Sequence, residues 1–251
     1  MPIVQKDESI RLFQIKNLHT EIASRLAIPA LSDTDELVRA TATTAVIFLP
    51  KAEAVQILLP LLNDKAPFVR GETAFALGEV GDGSATASLI RSLQKDSADE
   101  VRSASAVALG KIGDPAAIDV LTAIFKKKPT DENEFLRRSV ARSIGQIAQI
   151  TKIGKGIVTT PQNFLPTKYK ETATRELEIN AIPAFRNAVV SLSKVLQNSK
   201  ESDDTRREAA FALGAIGDQT SVSLLRSNLN SPDIYLAEIC KEALIKLGQP
   251  Q

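Results

Sequence analysis

The stretch Val69-Arg70-Gly71-Glu72-Thr73-Ala74-Phe75-Ala76-Leu77-Gly78-Glu79-Val80-Gly81-Asp82 decides how this chain folds, because its skeleton returns along the sequence. Val101-Arg102, Ala108-Leu109-Gly110 and Gly113-Asp114 repeat it at the same spacing, as do Thr205-Arg206, Ala212-Leu213-Gly214 and Gly217-Asp218. Looser copies sit at Val38-Arg39 with Ala45-Val46 and at Leu136-Arg137 with Ser143-Ile144-Gly145. The arginines at 39, 70, 102, 137 and 206 lie 31, 32, 35 and 69 residues apart, the last step being about two periods. A fixed period in this range is the signature of stacked repeats. The expected fold is all-α, a solenoid of about six helical hairpins.

Counted from the arginine, positions −1, +3, +7 and +10 are apolar or small: Val69, Thr73, Leu77 and Val80, or Val101, Ser105, Leu109 and Ile112. That spacing gives one buried stripe on a helix. Small residues at +6 (Ala45, Ala76, Ala108, Ser143, Ala212, Ala243) let a neighbouring helix come close. Glycine at +8 costs about 1 kcal/mol relative to alanine inside a helix, so its recurrence points to close backbone packing or to an early helix end. The glycine at +11 supplies a left-handed stop. Asp82, Asp114 and Asp218 then cap the next helix, with Pro115 at a first helical position.

Second helices are expected near 35–49, 66–80, 98–112, 132–148, 203–216 and 232–247, preceded by first helices at Ala54–Asn63, Ala85–Lys95, Pro115–Lys127, Ile182–Gln197 and Ser221–Asn230. Pro29, in the first helix of unit one within Asp7–Leu31, and Pro60 should kink or tilt their helices. Asp33, Asp64, Asp96 and Asp131, six residues before their arginines, either cap helix starts or pair with an arginine of the same or an adjacent unit. The unit at about 219–248 is an atypical capping repeat, with Ala237 at the arginine position and Ile245 at the first-glycine position. The whole of 1–251 is expected to form a single solenoid. The 69-residue step leaves an inserted loop at about 151–180, between repeats four and five.

These hairpins, with their Asp…Val-Arg turn and Ala-Leu-Gly…Gly ending, resemble HEAT repeats, closest to the bacterial short-repeat type named after phycobilisome lyases. The resemblance covers about 30–148 and 181–248. It implies a right-handed superhelix whose second helices line the concave face.

Composition narrows the function. With 31 Lys and Arg against 30 Asp and Glu, the net charge of +1 argues against general nucleic-acid binding. Aromatics make up 4% with no Trp, which disfavours a base-stacking or sugar platform. The lone Cys240 excludes an internal disulfide and falls on the buried stripe, and the N-terminus shows no signal peptide. No run is long enough to span a membrane, so a cytoplasmic protein is expected. One histidine, His19, leaves no Ser-His-Asp set and no histidine metal cluster. HEAT-like metal hydroxylases carry His-Glu pairs, which this chain lacks, so that activity is not expected.

The sequence therefore predicts a non-catalytic adaptor or scaffold without cofactor, monomeric, gripping another protein that bears an acidic surface. Positions +1, +2, +5 and +9 of the second helices should face outward, giving Glu72, Phe75, Glu79, Ser103, Val107, Lys111, Arg138, Arg142, Arg207 and Phe211 as partner-binding residues. Phe75, Val107 and Phe211 are the apolar anchors, with packing of both rings against a neighbouring unit as the competing reading. Arg138, Arg142 and Arg207 would steer acidic groups, and the repeating arginines are structural. Lys152, Lys155, Phe164, Lys168 and Tyr169 form a second contact on the insertion. The alternative function, implied by the resemblance, is a bilin lyase or chaperone delivering a tetrapyrrole to a phycobiliprotein.

Overall fold

Helix pairs alternate along the chain as the period requires. A computed structural model of the protein describes residues 20–21, 23–153 and 182–249, and among these there is no strand. The helices are α1 (Glu36–Val46), α2 (Lys51–Leu58), α3 (Pro67–Val80), α4 (Thr86–Lys95), α5 (Asp99–Ile112), α6 (Ile118–Ala123), α7 (Glu134–Ile153), α8 (Pro183–Gln197), α9 (Asp203–Ile216), α10 (Val222–Ser227) and α11 (Ile234–Lys246). Odd numbers are second helices. The protein is an all-α solenoid of HEAT-like hairpins.

Local chemistry sets the boundaries. Gly81, Gly113 and Gly217 end α3, α5 and α9 at φ 64°, 79° and 77°, a left-handed turn that a side chain would strain. Asp82, Asp114 and Asp218 follow at once, accepting hydrogen bonds from the amides of Ser84 (2.9 Å), Ala116 (3.0 Å) and Thr220 (2.8 Å). Each therefore starts the next first helix through one 3-10 turn. α7 runs five residues past its expected end at 148, because Ala148 stands where a stop glycine would be. Pro60 converts the end of the α2 segment to a 3-10 turn over Leu59–Asn63, and Pro29 marks the change from π-turn to α-turn at Ile28. A ring without an amide hydrogen cannot continue the i→i−4 ladder. The first helix expected over Pro115–Lys127 is split into 3-10, α and 3-10 pieces.

The second helices pack directly on one another, whereas first helices touch their counterparts only sparsely. Glycine at +8 makes this possible. A β-carbon at Gly78 would lie 2.8 Å from Cα of Ala108, one at Gly110 2.9 Å from Cα of Ser143, and one at Gly214 2.8 Å from Cα of Ala243. Each partner is the small +6 residue of the following unit. The close-packing reading of the +8 glycine thus holds, and α3, α5 and α9 run on for another two residues. The second helices therefore form the closely spaced layer of the stack. In the last described unit Ile245 occupies this position and is half-exposed.

Two glycine substitutions in α3 should separate these roles. Gly78→Ala is expected to cost about 1–3 kcal/mol by overpacking. Gly71→Ala, which meets nothing within 4 Å, should gain about 0.5–1 kcal/mol. Urea denaturation of both variants measures the contrast.

Candidate functional site

On α3 the outward stripe is Phe68, Glu72, Phe75 and Glu79, spaced four, three and four residues apart. Such spacing keeps one helix face. The same register gives Leu37, Thr41 and Thr44 on α1, and Glu100, Ala104, Val107 and Lys111 on α5. Phe75 is 43% exposed and Phe68 49%. Leu37, Phe135 and Tyr235 are more exposed still. Sequence reasoning missed this column two residues before the arginine. The signal was available: it lies seven residues, two helical turns, before the +5 column.

Not every expected face residue is accessible. Phe211 is 5% exposed and Ser103 2%, so neither is a surface anchor. The Phe211 ring fills the space that Gly145 leaves on α7, where a β-carbon would come within 2.7 Å of it. Its competing reading, packing against a neighbouring unit, is the correct one. Position +1 borders the interhelix contact, so a short serine is covered while the longer Arg138 and Arg207 emerge. Val107 and Glu72 are half-buried, and Glu79 is exposed.

The cations on the face are engaged by the protein itself. Arg138 donates to Asp204 at 2.9 Å, and Arg142 donates to Glu208 at 2.9 Å. Arg207 donates to Asp204 at 2.8 Å and grips both oxygens of Asp233 at 2.8 and 2.9 Å. Lys111 pairs with Glu79 and stands 4.2 Å from the centre of the Phe75 ring. Arg138 and Arg207 also lie over Phe135 and Tyr235, at 5.0 and 5.1 Å. The steering role expected of Arg138, Arg142 and Arg207 is therefore corrected. The acids of the following units already neutralise these guanidinium groups.

The repeating arginines bind unit to unit. Arg39 grips Asp64 at 2.8 and 2.9 Å, and Arg70 grips Asp96 at 2.7 Å through both nitrogens. Each carboxylate also accepts a backbone amide, from Ala66 or Ala98, so both expected aspartate roles are filled at once. Arg137 pairs with Glu201 across 64 residues, and both side chains are buried. Arg102 and Arg206 are the exceptions. Each bonds within its own unit, Arg102 to the Leu93 carbonyl at 3.1 Å and to Asp99 at 2.6 Å, and Arg206 to the Leu196 carbonyl at 3.1 Å and to Asp203 at 3.5 Å.

Cys240 is fully buried, and burial pushes its thiol up to about 12, which leaves no thiolate for chemistry at neutral pH. Lys152 sits at the end of α7, its ammonium beside Gly217. Lys155, Phe164, Lys168, Tyr169 and His19 lie outside the described residues. Among the described residues, no group of three or more His, Cys, Asp or Glu is arranged to hold a metal ion, and no helix is long and apolar enough to cross a membrane.

A family model of HEAT repeats matches residues 24–109 and 58–145, and a model of the PBS lyase HEAT-like repeat matches 205–231. The chain belongs to the HEAT-repeat proteins. This HEAT-repeat chain is 26% identical to deoxyhypusine hydroxylase-B of Oryza sativa subsp. japonica over 94% of its own length and 85% of that protein. Among solved structures it resembles an engineered protein, with a TM-score of 0.60 at 19% identity, over 91% of this chain and 96% of that one. A designed armadillo repeat protein in complex with the peptide (KR)4 superposes with a TM-score of 0.58 at 15% identity, over 88% and 98% of the two chains. The expectation that the chain is not an enzyme is thereby corrected, because a relative matching nearly its whole length is a hydroxylase. Lack of His-Glu pairs speaks to one ligand type alone and gave no ground for excluding catalysis.

Two stability predictions follow from the ion pairs. Glu201→Ala leaves the buried Arg137 guanidinium without its carboxylate and should cost about 3–5 kcal/mol. Asp204→Ala, at a half-exposed site, should cost less than about 1 kcal/mol. Chemical denaturation of both variants tests the ordering. The second prediction concerns pH. Hydrogen bonding to Arg39 and Arg70 holds Asp64 and Asp96 below the ordinary carboxylate value of 3.8. Their contribution is fully present above that value and is lost as pH falls through the lowered ones. Between about pH 5 and pH 2, Asp64→Asn with Asp96→Asn should therefore lose less stability than wild type, as followed by circular dichroism in urea.

Proposed function

We propose that this HEAT-repeat protein holds a segment of another protein along the concave face of its second helices. The observation that carries this is the row of exposed apolar side chains on that face: Leu37, Phe68, Phe75, Phe135 and Tyr235. The repeat needs none of them for its core, which is built from the stripe on the opposite side of each helix. Burying such a side chain is worth about 1.5–3 kcal/mol, and on this surface that gain comes only with a partner. Exposed apolar patches rimmed by polar residues mark interaction sites, and aromatic residues dominate binding energy at interfaces. Phe68, Phe75 and Val107 are the central anchors, and Lys111 and Glu79 rim them. The face serves as an adaptor surface, with rigidity supplied by the arginine pairs behind it.

A second reading has its own support in the hydroxylase match over 94% of the chain. In it, the bound protein is also a substrate. Mass spectrometry of a captured partner, before and after incubation, would then show a gain of one oxygen atom.

Binding itself is tested with Phe68→Ser and Phe75→Ser combined. Partners cross-linked and captured by the wild type should bind this variant at least about tenfold more weakly, a loss of roughly 1.4 kcal/mol or more. The thermal unfolding midpoint should stay close to that of the wild type. Retention of the same partners at unchanged affinity would show that this face is not the binding surface.

A further inference from the structure

We infer that the occupant of the concave face in the first three units is a protein segment that alternates apolar side chains with lysine or arginine. This rests on the protein-binding reading above and adds the partner's chemistry to it. The argument is one of charge left over. On α1, α3 and α5 every cation is matched: Arg39 by Asp64, Arg70 by Asp96, Arg102 by Asp99 and Lys111 by Glu79. The acids are not. Glu36 and Glu100 are exposed and Glu72 is half-buried, and among the described residues no basic group lies within ion-pair distance of any of the three.

Their placement matters more than their number. Glu72 stands on the α3 stripe four residues after Phe68 and three before Phe75, so it occupies the position between the two exposed phenylalanines. Glu100 occupies on α5 the rung that Leu37 and Phe68 occupy on α1 and α3. A lysine or arginine satisfies both halves of this surface, laying its methylene stem on a ring and its charged head on a carboxylate. A glutamate-rich segment would meet uncompensated like charge at the same rungs. Nor would the arginines of the fourth and fifth units receive such a segment, because Asp204, Glu208 and Asp233 already occupy Arg138, Arg142 and Arg207.

Fluorescence anisotropy with three labelled peptides on the full chain tests this: an amphipathic leucine-lysine peptide, the same peptide with glutamate at each lysine, and a lysine-glycine-serine peptide. The leucine-lysine peptide should bind at least about tenfold tighter than either of the others, and more weakly as salt is raised. Glu72→Gln with Glu100→Gln should weaken it about tenfold. Glu238→Gln with Glu242→Gln, on α11, should leave it unchanged. Equal binding of the lysine and glutamate versions, both abolished by Phe68→Ser, would overturn the basic occupant and keep the docking face. Equal binding of the lysine-glycine-serine peptide would overturn the apolar half of the inference. Failure of both leucine peptides to bind would overturn the inference and the protein-binding reading together.

Discussion

Everything in this molecule depends on the contact between a glycine on one second helix and a small residue on the next. Gly78 meets Ala108, Gly110 meets Ser143 and Gly214 meets Ala243, each at a distance that admits no β-carbon, and Gly145 meets Ala212 almost as closely. Backbones this close fix the interhelix spacing, and no such contact constrains the first helices. The same contact fixes the rotation of each second helix, deciding which residues are buried and which form the outward stripe. A residue's meaning is therefore set by its offset from that glycine more than by its type.

Charge follows the same geometry. In the first units the arginines reach forward to an aspartate in the next turn, which leaves the outward stripe its carboxylates. Around unit four the pairs lie on the face itself, with Arg138, Arg142 and Arg207 bound to acids of the following units. One charge type thus does two jobs along a single stack. The protein is nearly neutral overall, yet the outward face of its second helices is uneven, apolar with acids that form no ion pair at one end and internally compensated at the other.

Much of this was legible in the sequence, and the parts that were not share one physical cause. The stop glycines, the capping aspartates, the small +6 column and the burial of Cys240 all depend on residues within one unit or at a fixed offset, and the period displays them. Phe211 did not yield to that logic, because its burial depends on the emptiness at Gly145, a residue 66 positions away across the irregular step. The arginines of unit four looked free for the same reason: Asp204 and Glu208 lie beyond that step. The column of Leu37, Phe68, Phe135 and Tyr235 was hidden differently. It precedes the arginine from which the pattern was counted, although helical geometry places it over the +5 column. The single histidine, the buried cysteine and the lack of His-Glu pairs speak only to particular chemistries, so they did not exclude the enzyme relationship that the hydroxylase match brings.

The Arg137–Glu201 pair also bears on how the chain folds. The arginine pairs of the first units close loops of 25 and 26 residues, whereas this one closes 64. Loop-closure entropy grows only logarithmically, so the longer loop costs roughly 0.8 kcal/mol more. Equilibrium hardly notices the difference. The order of events does, because local contacts form first and distant ones wait on a slower search. A stack whose other joints can zip from neighbour to neighbour thus has one joint that must be found by diffusion, and units on either side of it can nucleate as separate halves before they meet.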